Sequence, residues 1–171
     1  MSKIPSKDWL LNRSLTLLEF PEILNFLAQH TKTEPGKKKA LNLLPSKNLE
    51  EINKNLALLS EMIELKNSGL TLPLDYFPDL DAFLENAQKG VRLSGRELWE
   101  ILKFVIQTER IQEYLKSLVN KFSLLSRLGL KLPKFTELRE KLEKAIDEYG
   151  EIKDSASQKL KELRSNLDSL R

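Results

Sequence analysis

Ser94-Gly95-Arg96-Glu97-Leu98-Trp99-Glu100-Ile101-Leu102-Lys103-Phe104-Val105-Ile106 opens the stretch whose reading decides the fold, and that stretch runs on to Leu128. As one unbroken helix it would be roughly 50 Å long, more than a compact domain of this size needs. Ser94 and Glu97 have capping-box spacing: the hydroxyl can accept the Glu97 N–H while the carboxylate reaches back. The first half is apolar nearly all round, through Leu98, Trp99, Ile101, Leu102, Phe104, Val105 and Ile106. A helix of that kind is buried on most sides. The second half narrows to Ile101, Phe104, Thr108, Ile111, Leu115, Leu118, Phe122 and Leu125, at alternating steps of three and four. This is a heptad stripe suited to lengthwise pairing. The expectation is an all-α, elongated helical bundle with a long axial helix over 94–122 that loosens between Phe122 and Gly129. Its seam, Ile111, Leu115, Leu118 and Phe122, pairs either within the chain or with a second copy.

Downstream, Leu130 to Pro133 reads as a turn, and Phe135 to Ile146 as an amphipathic helix through Leu138, Leu142 and Ala145. Asp147-Glu148-Tyr149-Gly150-Glu151-Ile152-Lys153-Asp154 breaks the helical period, so the chain turns there. Ser155-Ala156-Ser157 then caps a final helix in which Leu160, Leu163, Leu167 and Leu170 form another heptad seam. That seam is still in register at Arg171, with no closing signal, so the native chain is expected to continue. The division expected is an arm over 1–13, a helical core over 14–156 and the start of a longer helix over 157–171.

Upstream, the arm carries Lys3, Pro5, Lys7 and a hydrophobic plug, Trp9-Leu10-Leu11. It reads as a tail docked by its tryptophan or as a partner-binding arm. Pro21 interrupts the apolar run from Leu15 to Leu27, predicting a short helix and then a second with Pro21 in its first turn. His30 closes that segment, where a histidine helps to cap the last carbonyls. Thr33 and Pro35 start the next helix, which carries Lys37-Lys38-Lys39 and stops at Pro45. The three lysines fan over a wide arc: a solvated face, or a low-specificity nucleic-acid contact to phosphate. Asn48 caps a long helix with Glu51 as its box partner, and Leu49, Ile52, Leu56, Leu59 and Ile63 share one face of it. Ser68-Gly69 ends that helix. The stretch from Leu70 to Pro78 is an apolar connector over the core, and a short helix from Asp79 to Lys89 stops at Gly90.

At 171 residues the chain can form one helical domain. No apolar run approaches the roughly 20 residues that span a bilayer, and Met1 to Asn12 lacks the apolar core of a signal peptide. The absence of cysteine removes disulfides and thiolate metal sites and suits the cytoplasm. A formal charge of +3 and a pI near 9.0 permit contact with nucleic acid without requiring it. There is no G-x-x-x-x-G-K-S/T loop, and Gly90-Val91-Arg92-Leu93-Ser94-Gly95 lies between helices and reads as a cap. With one histidine and no cysteine, a metal site at His30 is not expected, and with no Gly-x-Ser-x-Gly elbow a nucleophile-and-base pair cannot be assembled in a familiar form. No catalytic, cofactor-binding or metal residue is therefore assigned.

Three stretches together resemble the MutS superfamily, in its MutS-two branch. The first is Leu18-Glu19-Phe20-Pro21-Glu22-Ile23-Leu24 with Leu27-Ala28 and Thr31. The second is Gly36-Lys37 with Ala40-Leu41, Leu43 and Pro45, then Leu49-Glu50-Glu51-Ile52. The third is Ala145-Ile146-Asp147, Gly150-Glu151-Ile152 and Asp154-Ser155-Ala156-Ser157 with Leu160. The resemblance implies an N-terminal core-and-lever region, with Ile146, Gly150, Ile152, Asp154, Ser157 and Leu160 forming the elbow from which a lever helix departs. It implies a full-length protein that is a homodimeric ATPase using ATP and Mg²⁺, binds branched DNA, suppresses recombination and carries an Smr-type endonuclease. Some members act on stalled ribosomes. The arm over 1–13 has no counterpart in the family pattern, and the clamp that would follow the lever is missing. On this reading the segment is structural, carrying ATPase state to the clamp. The alternative is a non-catalytic nucleic-acid-binding or protein-interaction domain.

Overall fold

Residues 13–169 are described by the computed structural model, and their regular structure is helical apart from one isolated β-bridge. In order come α1 (helical over 13–17), α2 (Phe20–Gln29), α3 (Glu34–Leu41), α4 (Leu49–Asn67), α5 (Asp81–Gln88) and α6 (Gly95–Ser117). Then follow α7 (Ser123–Leu130), α8 (Thr136–Ala145), a 3₁₀ turn (Asp154–Ala156) and α9 (Gln158–Ser169). The arm expected over 1–13 lies, but for its last residue, outside the described part.

Local chemistry sets most boundaries. The chain breaks at Leu18–Glu19, where Glu19 takes φ 54°, and Pro21 sits in the first turn of α2. Thr33 Oγ1 accepts the Gly36 N–H at 3.1 Å to start α3. Asn48 Oδ1 accepts the Glu51 N–H at 3.2 Å, but the Glu51 carboxylate does not close the expected box. It accepts instead from the Ser46 hydroxyl, whose oxygen takes the Asn48 N–H. Gly69 and Gly90, at φ 76° and 74°, end α4 and α5 in the left-handed conformation. His30 also departs from expectation. Its backbone N–H caps α2, while its ring stands edge-on to Phe26 at 4.7 Å rather than reaching the last carbonyls.

α6 is the element on which both buried clusters are built. Near its start, Ile101, Leu102 and Val105 pack with Leu142 of α8 and with Ile146. Near its end, Leu115 packs with Leu65 of α4, with Phe122 and with Leu125 of α7. Arg139 of α8 binds Glu109 of α6 and Glu143 of its own helix, each at 2.8 Å. The connector lies over α6 as expected. Phe77 meets Phe104 edge-on at 5.2 Å, and Gln107 Nε2 donates to the Pro73 carbonyl at 3.2 Å.

The axial helix is shorter than 94–122. It stops at Ser117, and the chain reverses through 118–122. The Lys121 and Phe122 N–H groups donate to the Leu118 carbonyl at 3.0 and 2.8 Å, and Phe122 is fully buried at the corner. α7 forms where loosening was expected, and it lies back against α6. Gly129 makes that approach possible, since a Cβ there would stand 2.6 Å from the Leu115 Cβ. A carboxylate from α4 opens α7: Glu61 accepts the N–H groups of Leu124 and Leu125 at 3.1 and 2.8 Å. Lys121 Nζ donates to the Ser68 hydroxyl at 2.9 Å, tying the corner to the end of α4. The three-and-four spacing from Ile111 to Leu125 therefore continues across a reversal and does not mark one rod.

Candidate functional site

The candidate site is the elbow between α8 and α9. Ile146 anchors it, almost wholly buried against Ile101, Leu102 and Val105. Asp147 then folds the backbone. Its Oδ1 accepts the N–H groups of Tyr149 and Glu151 at 2.9 and 2.8 Å, and its carbonyl accepts Gly150 N–H at 3.1 Å. Its own N–H donates to the Glu151 carbonyl, and Ile146 and Ile152 form an antiparallel bridge. Gly150 takes φ 77°, which favours glycine.

Two glycines then bring backbone against backbone. A Cβ on Gly95 would stand 2.0 Å from the Gly150 carbonyl oxygen, and a Cβ on Gly150 would stand 3.1 Å from the Arg96 Cα. The tip of the elbow is thus seated on the first turn of α6. The Ser94–Glu97 box fixes that turn, with the Glu97 carboxylate accepting the Ser94 N–H at 2.7 Å and Ser94 Oγ accepting the Glu97 N–H at 3.3 Å. The bond from the Ser94 backbone, and then that from its hydroxyl, hold the Glu97 carboxyl below its ordinary value.

Beyond the tip, the chain closes the open end of α8. Lys153 Nζ donates to the Glu143 carbonyl at 2.8 Å, Ser155 Oγ to Lys144 at 3.0 Å and Lys153 N–H to Ala145 at 2.9 Å. Three consecutive carbonyls that a helix end leaves unpaired are satisfied by residues after the turn. Ser157 Oγ accepts the Leu160 N–H at 3.1 Å to start α9, and the Arg164 guanidinium reaches back to the Asp154 carboxylate. α9 packs on the 3₁₀ turn, and its Leu163 and Leu167 are exposed.

The residues singled out from the sequence fall into three places. Ile146, Gly150, Ile152, Asp154, Ser157 and Leu160 are gathered at the elbow, where Ile146 is buried, Leu160 half-buried and Ile152 exposed. Ile111, Leu115, Leu118 and Phe122 are gathered in the cluster around the α6–α7 corner, inside the chain. Lys37, Lys38 and Lys39 are exposed on α3, but Lys38 is paired with Asp79 and lies 3.8 Å from Asp81. They do not form a patch of three unpaired cations. Sequence reasoning missed Glu61 and Gly95. Nothing local distinguishes Glu61 from the other acidic residues of α4, and Gly95 reads as an ordinary residue of a cap.

Gly90 and Gly95, the two glycines of the 90–95 stretch, end α5 and seat the elbow. Among the described residues no three of His, Cys, Asp and Glu are grouped to hold a metal, and no helix is long and apolar enough to cross a membrane.

No family model matches the chain. It is nevertheless similar over 91% of its length to curated proteins of one name. It is 30% identical over 155 residues to Endonuclease MutS2 of Symbiobacterium thermophilum and 32% identical over 157 residues to that of Clostridium beijerinckii. A Geobacillus relative of the same name is 28% identical over 158 residues. The chain belongs to the MutS2 family. It spans about a fifth of the length of these relatives, covering 19% of the first and 20% of the other two. The elbow and its seat are therefore features of a MutS2 segment, and the nuclease activity in the relatives' name is a property of those longer proteins.

Proposed function

We propose that this MutS2 segment is a structural core-and-lever module, which carries the state of an ATPase elsewhere in such a protein to a DNA-gripping part beyond α9. The observation that carries this reading is the elbow. Its backbone is seated on α6 at Gly95 and Gly150, its Lys153 and Ser155 bond three carbonyls of α8, and α9 leaves with an exposed apolar seam. A helix moves as a unit because each turn is bonded to the next, and packed joints switch between discrete arrangements rather than bending. A joint closed on both preceding helices therefore converts a tilt of the bundle into a swing of α9. In the whole protein, ATP, Mg²⁺ and the homodimeric ATPase belong to other segments. Branched DNA in recombination, or a stalled ribosome, is the load on the lever.

The test is Gly150→Ala in a full-length MutS2 protein carrying this segment. ATP hydrolysis without DNA should be unchanged, while the change in hydrolysis on adding branched DNA should fall severalfold. An equal effect on both rates, or no effect on either, contradicts the reading.

A further inference from the structure

The arm that the sequence sets apart ends beside an open groove. Leu15 of α1, Phe20 and Leu24 of α2, and Leu41, Leu43 and Leu44 at and beyond the end of α3 line a cleft of about 370 Å³. That volume lies in the lower part of the range for small-ligand sites. Leu24 is buried at its floor, while Leu41, Leu43 and Leu44 are 41%, 48% and 66% exposed along its wall. None of its ten lining residues is charged, so a cover with no charge of its own fits it. We propose that the cover is the chain's own Trp9-Leu10-Leu11, which folds back from residue 13 and seats the indole in the groove.

Reach, composition and polarity argue for that occupant. Twelve residues precede the described part, and their one run of consecutive large apolar residues is Trp9-Leu10-Leu11. Trp9 lies six residues before Leu15, which lines the groove, and so at most about 20 Å from it along the chain. So short a tether holds the plug at an effective concentration on the order of millimolar, which favours it over an untethered partner. A buried indole needs an acceptor for its N–H. Asn42, in the groove lining, supplies one: its side-chain nitrogen donates to the Lys38 carbonyl at 2.8 Å, which leaves the amide oxygen to accept. The charges of the arm, at Lys3, Lys7 and Asp8, all precede the plug and stay outside a groove entered from residue 13. The turn at 30–33 joins α2 to α3 at one end. The docked plug clasps the other, where the first turn of α2 meets the tail of α3.

The test uses the 171-residue chain with Trp99→Phe, which leaves Trp9 as its only tryptophan. Acrylamide should quench Trp9 severalfold more weakly than a tryptophan in water, and equally so on dilution. Leu41→Asp with Leu44→Asp should raise the quenching to the level of a solvated indole and keep the helical circular dichroism, because both side chains already meet water at the groove wall. Should the pair lower the helical signal, Leu44→Asp alone, at the most exposed of the wall positions, must give the same loss of protection. Leu130→Asp, at an exposed leucine of α7 outside the groove, should leave Trp9 protected. Chymotryptic cutting after Trp9, read by mass spectrometry, gives the same comparison without Trp99→Phe: it should be slow in the unaltered chain and severalfold faster in the double aspartate variant. A Trp9 as open to quenching as free tryptophan, protection that survives the groove variants, or an equal loss with Leu130→Asp overturns the proposal. So does protection that fades on dilution, the sign of an arm seated in a second copy.

Discussion

The chain reverses direction twice beside α6, and the two reversals are built in opposite ways. The corner at 118–122 is made by side chains: Phe122 fills it, Glu61 opens the next helix and Lys121 ties it to Ser68. The elbow at 147–157 is seated backbone against backbone on α6, and two glycines are needed there because any side chain would separate the surfaces. The first kind of joint fails when an atom is removed. The second fails when one is added. The contrast also separates their places in the chain, since the corner closes a core and the elbow leads into α9.

Four variants sharpen or break this contrast. Phe122→Ala should have the largest effect, lowering unfolding free energy by about 3–5 kcal/mol in urea melts, because the ring is fully buried in the cluster with Leu65, Leu115 and Leu125. A loss below about 1 kcal/mol would show that the corner is held by its backbone after all. Gly95→Ala should follow at about 2–3 kcal/mol, since its Cβ meets backbone that cannot rotate aside. A neutral or stabilising result, usual for Gly→Ala in a helix, would remove the seat from the account. Glu61→Ala should cost about 1–2 kcal/mol and speed hydrogen exchange at Leu124 and Leu125, whose N–H groups lose their acceptor. Exchange unchanged at both amides would contradict that capping role.

The smallest effect concerns pH. Glu97 is held below its ordinary value of 4.5 in the folded chain, so its contribution is present above that value and lost as pH falls through the lowered one. The difference in Tm between wild type and Glu97→Gln should therefore be constant near neutrality and close as acid is added. A gap that persists in acid would show that the box acts through packing alone.

What was legible in the sequence was chemistry between residues a few positions apart. Ser94 and Glu97, Thr33, Asn48, Pro21 and Gly150 each announce a start, a break or a turn, and each is found at one. The all-α class follows from the same local signals. Contacts between distant segments left no such mark. Asp79 neutralises Lys38 from across the chain, and Glu61 caps a helix more than sixty residues later. The heptad spacing through Leu115, Leu118 and Phe122 misled because a tight corner preserved it, making two short helices look like one long one. At the elbow the turn was legible but its seat was not: Gly95 and Gly150 are 55 positions apart, and only the fold shows that they touch.

The claim on which the rest depends is that the elbow fixes the direction in which α9 leaves the bundle. It is tested most directly by the distance between spin labels at Lys103→Cys on α6 and Lys161→Cys on α9, both exposed sites in a chain without native cysteine. The account predicts one narrow distance distribution, which broadens when Gly150→Ala is added. A broad distribution in the otherwise unaltered chain, or a narrow one that Gly150→Ala leaves untouched, would contradict it.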